Sequence, residues 1–262
     1  MTVALEPGVP CGKCVHCQQG NYNVCPDMRF CGTPPTDGAY REYMLYSPRW
    51  AYPLPETISS EEGALLETLA VGINAVDLSH IKVGKTAAIF GVGSIGLCTL
   101  QMAKLAGALE IIAVDPLEYR LEKAMEYGAT ATINPTKHDP IEEIMKLTGR
   151  KGVDVTFEAA GAMETPQQCA AVTRPAGRVV LIGICQEDKI LINASNARRK
   201  GLSIMLVRRM RHTYQRSIDL LNKGMADLKG MITHRFKLEE IKKAFEMVDG
   251  YGDKVIKAVI NI

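Results

Sequence analysis

The sequence predicts an α/β protein built on a doubly wound parallel sheet, and two observations carry this prediction. Strand-like and helix-like segments alternate, with short loops between them, from about residue 60 to residue 205. Such alternation is typical of a parallel sheet with helices on both faces. A G-x-G-x-x-G turn also lies between the first of these strands and the next helix, a context that predicts dinucleotide binding.

The individual elements follow from apolar runs of strand length and from apolar residues at helical spacing. Strands are expected at 86–90, 111–115, 131–133, 153–159, 178–184 and 255–262, and helices at 94–107 and 117–128 and around 140–148, 164–173, 213–223 and 238–248. The first 60 residues are instead rich in Cys, Gly, Pro and Tyr and lack helical periodicity. They are expected to form loops and short strands.

The composition limits the possible partners. The 262 residues suffice for one large domain or two smaller ones, and a net charge of +2 is too small to indicate a nucleic-acid or membrane partner. No apolar run has the length of a membrane span. The N-terminus lacks the basic and apolar regions of a signal peptide, so we expect a cytoplasmic location. In that reducing compartment the eight cysteines are expected to be metal ligands or free thiols.

Four cysteines near the N-terminus form a C-x2-C-x2-C-x7-C pattern: Cys11, Cys14, Cys17 and Cys25. Two-residue spacers let the backbone curl around one tetrahedral ion, and four thiolates favour a soft divalent metal such as zinc. Because cysteine fills all four positions, no coordination site stays open for a substrate. The metal is therefore expected to be structural.

Three other interpretations of this lobe compete with zinc. Four unpaired thiols by chance are rare at such spacing. A ferredoxin-type cluster motif also has a proline after its last cysteine, as Pro26 follows Cys25, but it has three residues before that cysteine instead of seven. A nucleic-acid zinc finger would carry several basic residues, whereas this lobe has only Lys13. His16 is expected to be a solvated loop residue, and the other four thiols to be packing residues: Cys31, Cys98, Cys169 and Cys185.

The glycine-rich turn is Gly91-Val92-Gly93-Ser94-Ile95-Gly96. Its first glycine permits the tight turn, its second lets the backbone approach a pyrophosphate, and its third lets strand and helix pack closely. The phosphates would lie at the helix N-terminus, where free amides and the dipole favour an anion. The alternative is a glycine-rich turn that binds nothing, and the flanking strand, helix and acid argue against it.

The acid in question is Asp115, at the end of the next strand, and it completes a Rossmann-type pattern. Its carboxylate is expected to accept hydrogen bonds from the adenosine ribose and to repel a 2′-phosphate, which predicts NAD as the cofactor. Arg120 complicates this prediction, because a nearby arginine can bind that phosphate.

The order of these motifs resembles the zinc-dependent medium-chain dehydrogenases. The segments FCGTPPTDGAYREY (30–43) and EEGALLETLAVGINAV (61–76) resemble the sorbitol (L-iditol, xylitol) dehydrogenase branch in particular, and similarity continues through 157–162, 178–184 and 232–246. The resemblance implies an NAD-binding Rossmann domain at 69–207. It also implies a β-rich, GroES-like catalytic domain at 1–68 with a C-terminal return at 208–262, and a homo-oligomer, a tetramer by family likeness.

The resemblance assigns roles by position. The lobe cysteines match the structural zinc ligands, and Glu67 matches the glutamate that reaches the catalytic zinc directly or through its water. Without the family, Glu67 would be interpreted as a first-turn carboxylate that complements a helix dipole. Substrate positions are matched by Phe30, Thr33 and Arg209, and cofactor positions by Ile95, Asp115, Arg120 and Ile184.

The substrate role of Arg209 has a plain alternative. Arg208, Arg209 and Arg211 lie close together in the sequence, and a solvated basic surface would have the same composition. An arginine nevertheless suits a polyol, because its guanidinium offers five donors in a fixed geometry to several hydroxyls.

One departure from the family pattern is large. The family holds its catalytic zinc through a cysteine and a His-Glu pair that precede the cysteine lobe. In this sequence the lobe begins at residue 11, and none of the five histidines precedes a glutamate. We therefore expect an incomplete catalytic domain from which most ligands of the catalytic zinc are missing.

The resulting expectation is a polyol 2-dehydrogenase, or a piece of one, that transfers a hydride from a secondary alcohol to NAD. In a complete enzyme, zinc would bind the substrate hydroxyl and lower its pKa. Another zinc alcohol, threonine or glucose dehydrogenase of the same family is one alternative. A non-catalytic module that binds NAD and zinc is an alternative from a different class.

Overall fold

A computed structural model describes residues 1–262. The chain divides into two units, one formed by Met1–Ala70 with Arg208–Ile262 and the other by Val71–Val207. The division after Ala70 lies inside a helix, as does the predicted domain boundary at 68/69. None of the helices combines the length and the apolar character that a membrane crossing requires.

The unit that contains both chain ends begins with short strands. Its first stretch holds β1 (Val3–Leu5), β2 (Gly8–Val9), the one-turn helix α1 (Val15–Gln18), β3 (Arg29–Phe30), β4 (Ala51–Pro53) and the long helix α2 (Ser60–Ser79), which continues into the second unit. β1 pairs with β4 and β2 pairs with β3, both antiparallel. The first 60 residues therefore form loops and short strands, as predicted, with the added helical turn α1 and two 3-10 turns, Tyr22–Val24 and Pro48–Trp50.

The second unit is a parallel sheet of six strands with helices between them. Its elements are β5 (Thr86–Phe90), α3 (Ser94–Leu105), β6 (Glu110–Val114), α4 (Glu118–Glu126), β7 (Ala131–Ile133), α5 (Pro140–Leu147), β8 (Val153–Glu158), α6 (Thr165–Val172), β9 (Thr173–Leu181), α7 (Ala194–Lys200) and β10 (Ser203–Leu206). The strand order is β10-β9-β8-β5-β6-β7, so the order reverses between β5 and β8. This confirms the predicted doubly wound Rossmann fold, whose switch point is the usual place for a ligand.

The remaining elements belong to the first unit again. They are α8 (Tyr214–Asn222), β11 (Ile232–Lys237), α9 (Ile241–Asp249) and β12 (Lys257–Asn261). β11 and β12 pair in parallel.

The central strands are apolar on both faces because helices cover both faces of a parallel sheet. In β5, Ile89 and Phe90 are completely buried, as is Phe157 in β8. Ile144 of α5 packs into the same core as Phe90. Local signals place the helices: Asp139 accepts the Ile141 N–H and so caps α5.

Two predicted elements have bounds that differ from the structure by three residues or more. The strand expected at 178–184 begins at Thr173 and ends at Leu181. Its early part is polar, with the Thr173 hydroxyl bonded to Thr156 at 2.9 Å, and its end comes where the Ile182 and Gly183 N–H groups both donate to the Glu158 carbonyl. The helix expected around 238–248 is a 3-10 turn, Leu238–Glu240, followed by α9.

Candidate active site and cofactor sites

Four thiols of the first unit converge on one point. The Sγ atoms of Cys11, Cys14, Cys17 and Cys25 all lie within 4.8 Å of one another. Cys17 Sγ is 3.5 Å from Cys14 Sγ and 4.0 Å from Cys11 Sγ. A tetrahedral zinc with Zn–S bonds of about 2.3 Å requires sulfurs about 3.8 Å apart. The four residues therefore fit the predicted structural zinc in both size and donor type.

The protonation of these thiols also favours a metal. Hydrogen bonds from the backbone amides of Lys13 and Cys14 lower the pKa of Cys11 to about 7, whereas burial raises the pKa of Cys17 to about 12. Like charges this close oppose full ionisation, so a divalent cation that replaces the protons satisfies all four sulfurs. His16 is exposed beside the cluster, as expected. Of the other thiols, Cys98, Cys169 and Cys185 are buried and Cys31 is half-buried.

The glycine turn joins β5 to α3 at the carboxyl edge of the sheet. A Cβ on Gly96 would lie 1.9 Å from the Gly91 carbonyl oxygen, and a Cβ on Gly91 would lie 2.6 Å from the Ala160 backbone. Gly93 is different, because the nearest atoms to its Cβ position are those of the Arg120 guanidinium, at 3.5 Å and beyond. Gly93 therefore has space beside the N-terminus of α3, and the turn fits the pyrophosphate of a dinucleotide.

Asp115 is tied to this turn. One carboxylate oxygen accepts the Val92 N–H at 2.9 Å and the other accepts the Leu117 N–H at 3.0 Å. The side chain is 2% exposed, and Arg120 Nη1 lies 3.7 Å away. Asp115 thus holds the glycine turn and the start of α4 in place. The predicted contact with the adenosine ribose would use the remaining lone pairs of the same carboxylate and stays a prediction.

The two isoleucines predicted at the cofactor lie at the same edge of the sheet. Ile95 is in the first turn of α3 and half-buried. Ile184 comes three residues after β9, is 84% exposed, and lies against Gly161, whose Cβ position is 2.7 Å from the Ile184 carbonyl oxygen. Exposure of a large apolar side chain at this edge is compatible with a ligand contact.

The sequence interpretation missed one buried carboxylate at this edge. Glu158 ends β8 and is 1% exposed. Its Oε1 accepts the N–H groups of Ala160 and Gly161 at 3.0 and 2.8 Å and the Thr165 hydroxyl at 2.7 Å. It therefore fixes the loop that packs against Gly91. The available signal was an acid at the end of an apolar strand followed by a small-residue loop.

The substrate residues predicted by resemblance lie in the first unit. The Arg209 guanidinium carbon stacks 3.6 Å from the centre of the Phe30 ring, a cation–π contact. The Thr33 N–H donates to the Phe30 carbonyl at 3.0 Å, so Thr33 and Phe30 belong to the same tight turn. Burial raises the pKa of the Glu67 carboxyl on α2, while the charges of Lys257 and Arg209 oppose the rise.

A catalytic zinc does not fit the residues around Glu67. Such a site needs about three protein ligands and one open position. The only group of three or more His, Cys, Asp or Glu side chains placed to hold a metal is the cysteine cluster. A single carboxylate therefore stands where the family has a full ligand set, and it is too few ligands for a catalytic zinc.

A doubly wound sheet with a glycine turn for a dinucleotide, joined in one chain to a four-thiol zinc lobe, defines a zinc- and NAD(P)-dependent oxidoreductase. The family models agree. Residues 94–223 match the zinc-binding dehydrogenase model and residues 1–56 match the alcohol dehydrogenase GroES-like domain model. The chain belongs to the zinc-binding dehydrogenase family.

Individual relatives place the chain within that family. It is 36% identical to a sorbitol dehydrogenase of Bacillus subtilis, over 98% of this chain and 73% of the relative. It is also 36% identical to a D-xylulose reductase of Saccharomyces cerevisiae, over 99% of this chain and 74% of the relative. The chain therefore spans about three quarters of the length of these relatives.

Solved structures extend the likeness to the cofactor. A zinc-binding dehydrogenase of Sinorhizobium meliloti bound to NADP has a TM-score of 0.92 and 33% identity, over 99% of this chain and 76% of that one. An alcohol dehydrogenase of Escherichia coli CFT073 complexed with NADH has a TM-score of 0.92 and 27% identity, with the same shares covered. The cofactors that the fold and the family support are thus zinc and a nicotinamide dinucleotide.

Proposed function

We propose that the chain carries the nucleotide site, the zinc lobe and part of the substrate site of a polyol 2-dehydrogenase. The observation that carries the substrate class is the Arg209 guanidinium stacked at 3.6 Å on Phe30. An arginine fixed in this way presents a planar set of donors, which suits a substrate with several hydroxyls. The sorbitol dehydrogenase and D-xylulose reductase named above support the same substrate class.

The residues of the chain have binding and orienting roles in this proposal. When bound, the nicotinamide would accept the hydride of a secondary alcohol, and that chemistry belongs to the cofactor. The turn from Gly91 to Gly96 would hold the pyrophosphate. The negative charge of Asp115 would favour NAD over NADP. Arg120 would have the opposite effect, because an arginine can bind the 2′-phosphate of NADP. Arg209, Phe30 and Thr33 would bind the polyol.

The incomplete ligand set at Glu67 favours a second candidate, a module that binds NAD and structural zinc without catalysis. Other zinc alcohol, threonine or glucose dehydrogenases of the family differ from the first candidate only in substrate. A cytoplasmic location and a homo-oligomer, such as a tetramer, belong to the same proposal. Cysteine usage supports the location and family likeness supports the assembly.

The test compares two proteins in an assay of NADH formation from sorbitol, xylitol and L-iditol. The 262-residue chain is expected to turn over far below about 1 per second, an ordinary lower rate for enzymes, because Glu67 alone cannot hold a catalytic zinc. A chimera with a full-length sorbitol dehydrogenase N-terminal segment ahead of Met1 is expected to be active.

Arg209→Ala in this chimera gives the specificity control. It should raise the KM for polyols much more than the KM for a simple secondary alcohol such as 2-butanol. A zinc-loaded chimera that oxidises simple alcohols but no polyol would contradict the substrate class. Ordinary turnover by the 262-residue chain itself would contradict the inference that the residues around Glu67 cannot hold a catalytic zinc.

A further inference from the structure

The segment that carries Arg209 has an unfavourable backbone. Arg209 has φ of 54° and His212 has φ of 55°, in the left-handed region where a side chain crowds its own carbonyl. Such conformations persist in non-glycine residues only where the surroundings over-determine them. Something in the first unit must therefore hold residues 208–212.

The contacts that hold this segment come from one place. Asn23 Nδ2 donates to the Arg208 carbonyl at 2.9 Å, and Arg211 Nη1 donates to Asn21 Oδ1 at 2.7 Å. At the far end, the His212 N–H donates to the Tyr22 hydroxyl at 2.8 Å. His212 Nε2 also lies 2.8 Å from the Gly20 carbonyl oxygen. The residues that contact this segment are therefore the consecutive residues 20–23.

Residues 20–23 belong to the zinc lobe. They lie between the third and fourth cysteine ligands, Cys17 and Cys25, so a bound metal would close this stretch into a loop fixed at both ends. Tyr22 is the most buried member, at 7% exposure. Its ring centre lies 5.0 Å from that of Trp50 and 4.9 Å from that of His212.

We propose that the zinc lobe is the positioning device for Arg209. Residues 20–23 clamp the strained 208–212 segment, and the clamp sets where the Arg209 guanidinium lies on the Phe30 ring. Tyr22 and Asn23 are the principal positioning residues. The functional meaning rests on the proposed function, in which Arg209 meets the polyol. The clamp also gives the zinc a role besides stability, because the bound metal would fix residues 20–23, and these residues hold the segment that carries Arg209.

The proposal is tested by the nuclear magnetic resonance of the Arg209 side chain in the zinc-loaded 262-residue chain. A guanidinium stacked on a ring face has its Nε–H proton shifted upfield by the ring current. Arg209→Lys identifies the signal, and Phe30→Leu should abolish the shift. We expect the double variant Tyr22→Phe/Asn23→Ser to lose most of the upfield shift. The matched control Tyr40→Phe removes an exposed hydroxyl of the same unit outside the clamp and should keep it.

The zinc arm uses the unmodified chain. Removal of zinc with a chelator should abolish the Arg209 shift, while backbone signals of Val71–Val207 stay unchanged, and added zinc should restore it. If the double variant fails to fold, the single variant Asn23→Ser tests the clamp instead, because it alters only an exposed hydrogen bond. It should reduce the shift at full zinc content. An unchanged shift in Asn23→Ser and in the zinc-free chain would overturn the proposal.

No substrate enters these measurements, so the two proposals fail separately. A chimera inactive on polyols, together with the expected changes in the Arg209 signal, would refute the proposed substrate and leave the clamp. An active chimera whose polyol KM depends on Arg209, together with an unaltered signal in every clamp variant, would refute the clamp alone.

Discussion

At the scale of single residues, Gly96 and Gly93 of the same turn are glycines for different reasons. Gly96 is required by the protein itself, because its Cβ position is 1.9 Å from the Gly91 carbonyl oxygen and backbone cannot move aside. Gly93 has no such neighbour and meets only the Arg120 guanidinium at 3.5 Å. Its small size is therefore useful to a ligand that must approach the backbone.

We therefore predict different effects for Gly96→Ala and Gly93→Ala. Gly96→Ala should destabilise the chain by about 1–3 kcal/mol or more through overpacking, seen as a lower Tm in circular dichroism. Gly93→Ala should keep the Tm within a few degrees and weaken NAD binding in titration calorimetry, because the new methyl group occupies the pyrophosphate position. Equal NAD affinity in Gly93→Ala and the unmodified chain would remove this turn from the cofactor site.

The same residue scale shows what the sequence could predict of the sites. The residues of the cysteine motif and of the glycine turn are close together in the sequence. Both motifs can therefore be predicted without knowledge of the fold. The clamp at Asn23 and His212 was not, because its partners are 185 to 192 residues apart in the chain. Glu158 was missed because two of its three hydrogen-bond donors are the backbone amides of Ala160 and Gly161, whose residue types do not indicate such a contact.

At the scale of secondary-structure elements, Asp154 ties three strands together. It belongs to β8, its Oδ2 accepts the Thr86 N–H at the start of β5 at 3.0 Å, and its Oδ1 lies 2.7 Å from Arg174 Nε in β9. Lys85 Nζ is a second cation, 3.2 Å from Oδ1. Burial would raise the pKa of Asp154, but these donors outweigh burial and lower the pKa from 3.8 to about 2.

A carboxyl whose pKa is lower in the folded chain stabilises the fold when it is ionised. The contribution of Asp154 should be fully present above its unfolded pKa of 3.8 and be lost as the pH falls through about 2. Asp154→Asn should cost on the order of 1 kcal/mol at pH 7, or about 2–4 °C in Tm. Urea unfolding at pH 7, 5 and 3 should show the difference shrinking below pH 4. The control Glu142→Gln, an exposed carboxylate near Arg150, should show neither effect, and a pH-independent difference for Asp154→Asn would contradict the ionic explanation.

Elements of the sheet were predictable where they are apolar and not where they are polar. β5 and β6 contain the continuous apolar runs AAIF and IIAV, which are typical of a buried parallel strand. The first half of β9 reads TRPAG, with Pro175 and Gly177 and no apolar run. Its extension comes instead from pairing with β8, where Thr173 lies opposite Val153. Tertiary pairing of this kind overrides local propensity.

At the scale of the whole molecule, the metal content follows from which donors the fold brings together. Four thiols meet within 4.8 Å of one another, and no second group of three or more donor side chains forms elsewhere. Glu67 is half-buried, and no other donor side chain joins its carboxylate in such a group. The chain as a whole is therefore built for one tightly held zinc.

We predict about one zinc per chain after growth with excess zinc and desalting, measured by inductively coupled plasma mass spectrometry. Cys14→Ser should lose most of this zinc and lower the Tm, because binding of a structural zinc is coupled to folding of its ligand loop. Glu67→Gln should leave the zinc content unchanged, since one carboxylate cannot retain the ion. Cys31→Ser, which removes a half-buried thiol outside the cluster, is the matched control and should also retain the zinc.

Acidification should release the zinc as protons replace it on the thiolates. A content of two zinc ions per chain that falls to one in Glu67→Gln would show a second site that the donor geometry does not contain, and would restore Glu67 as a true ligand in this chain.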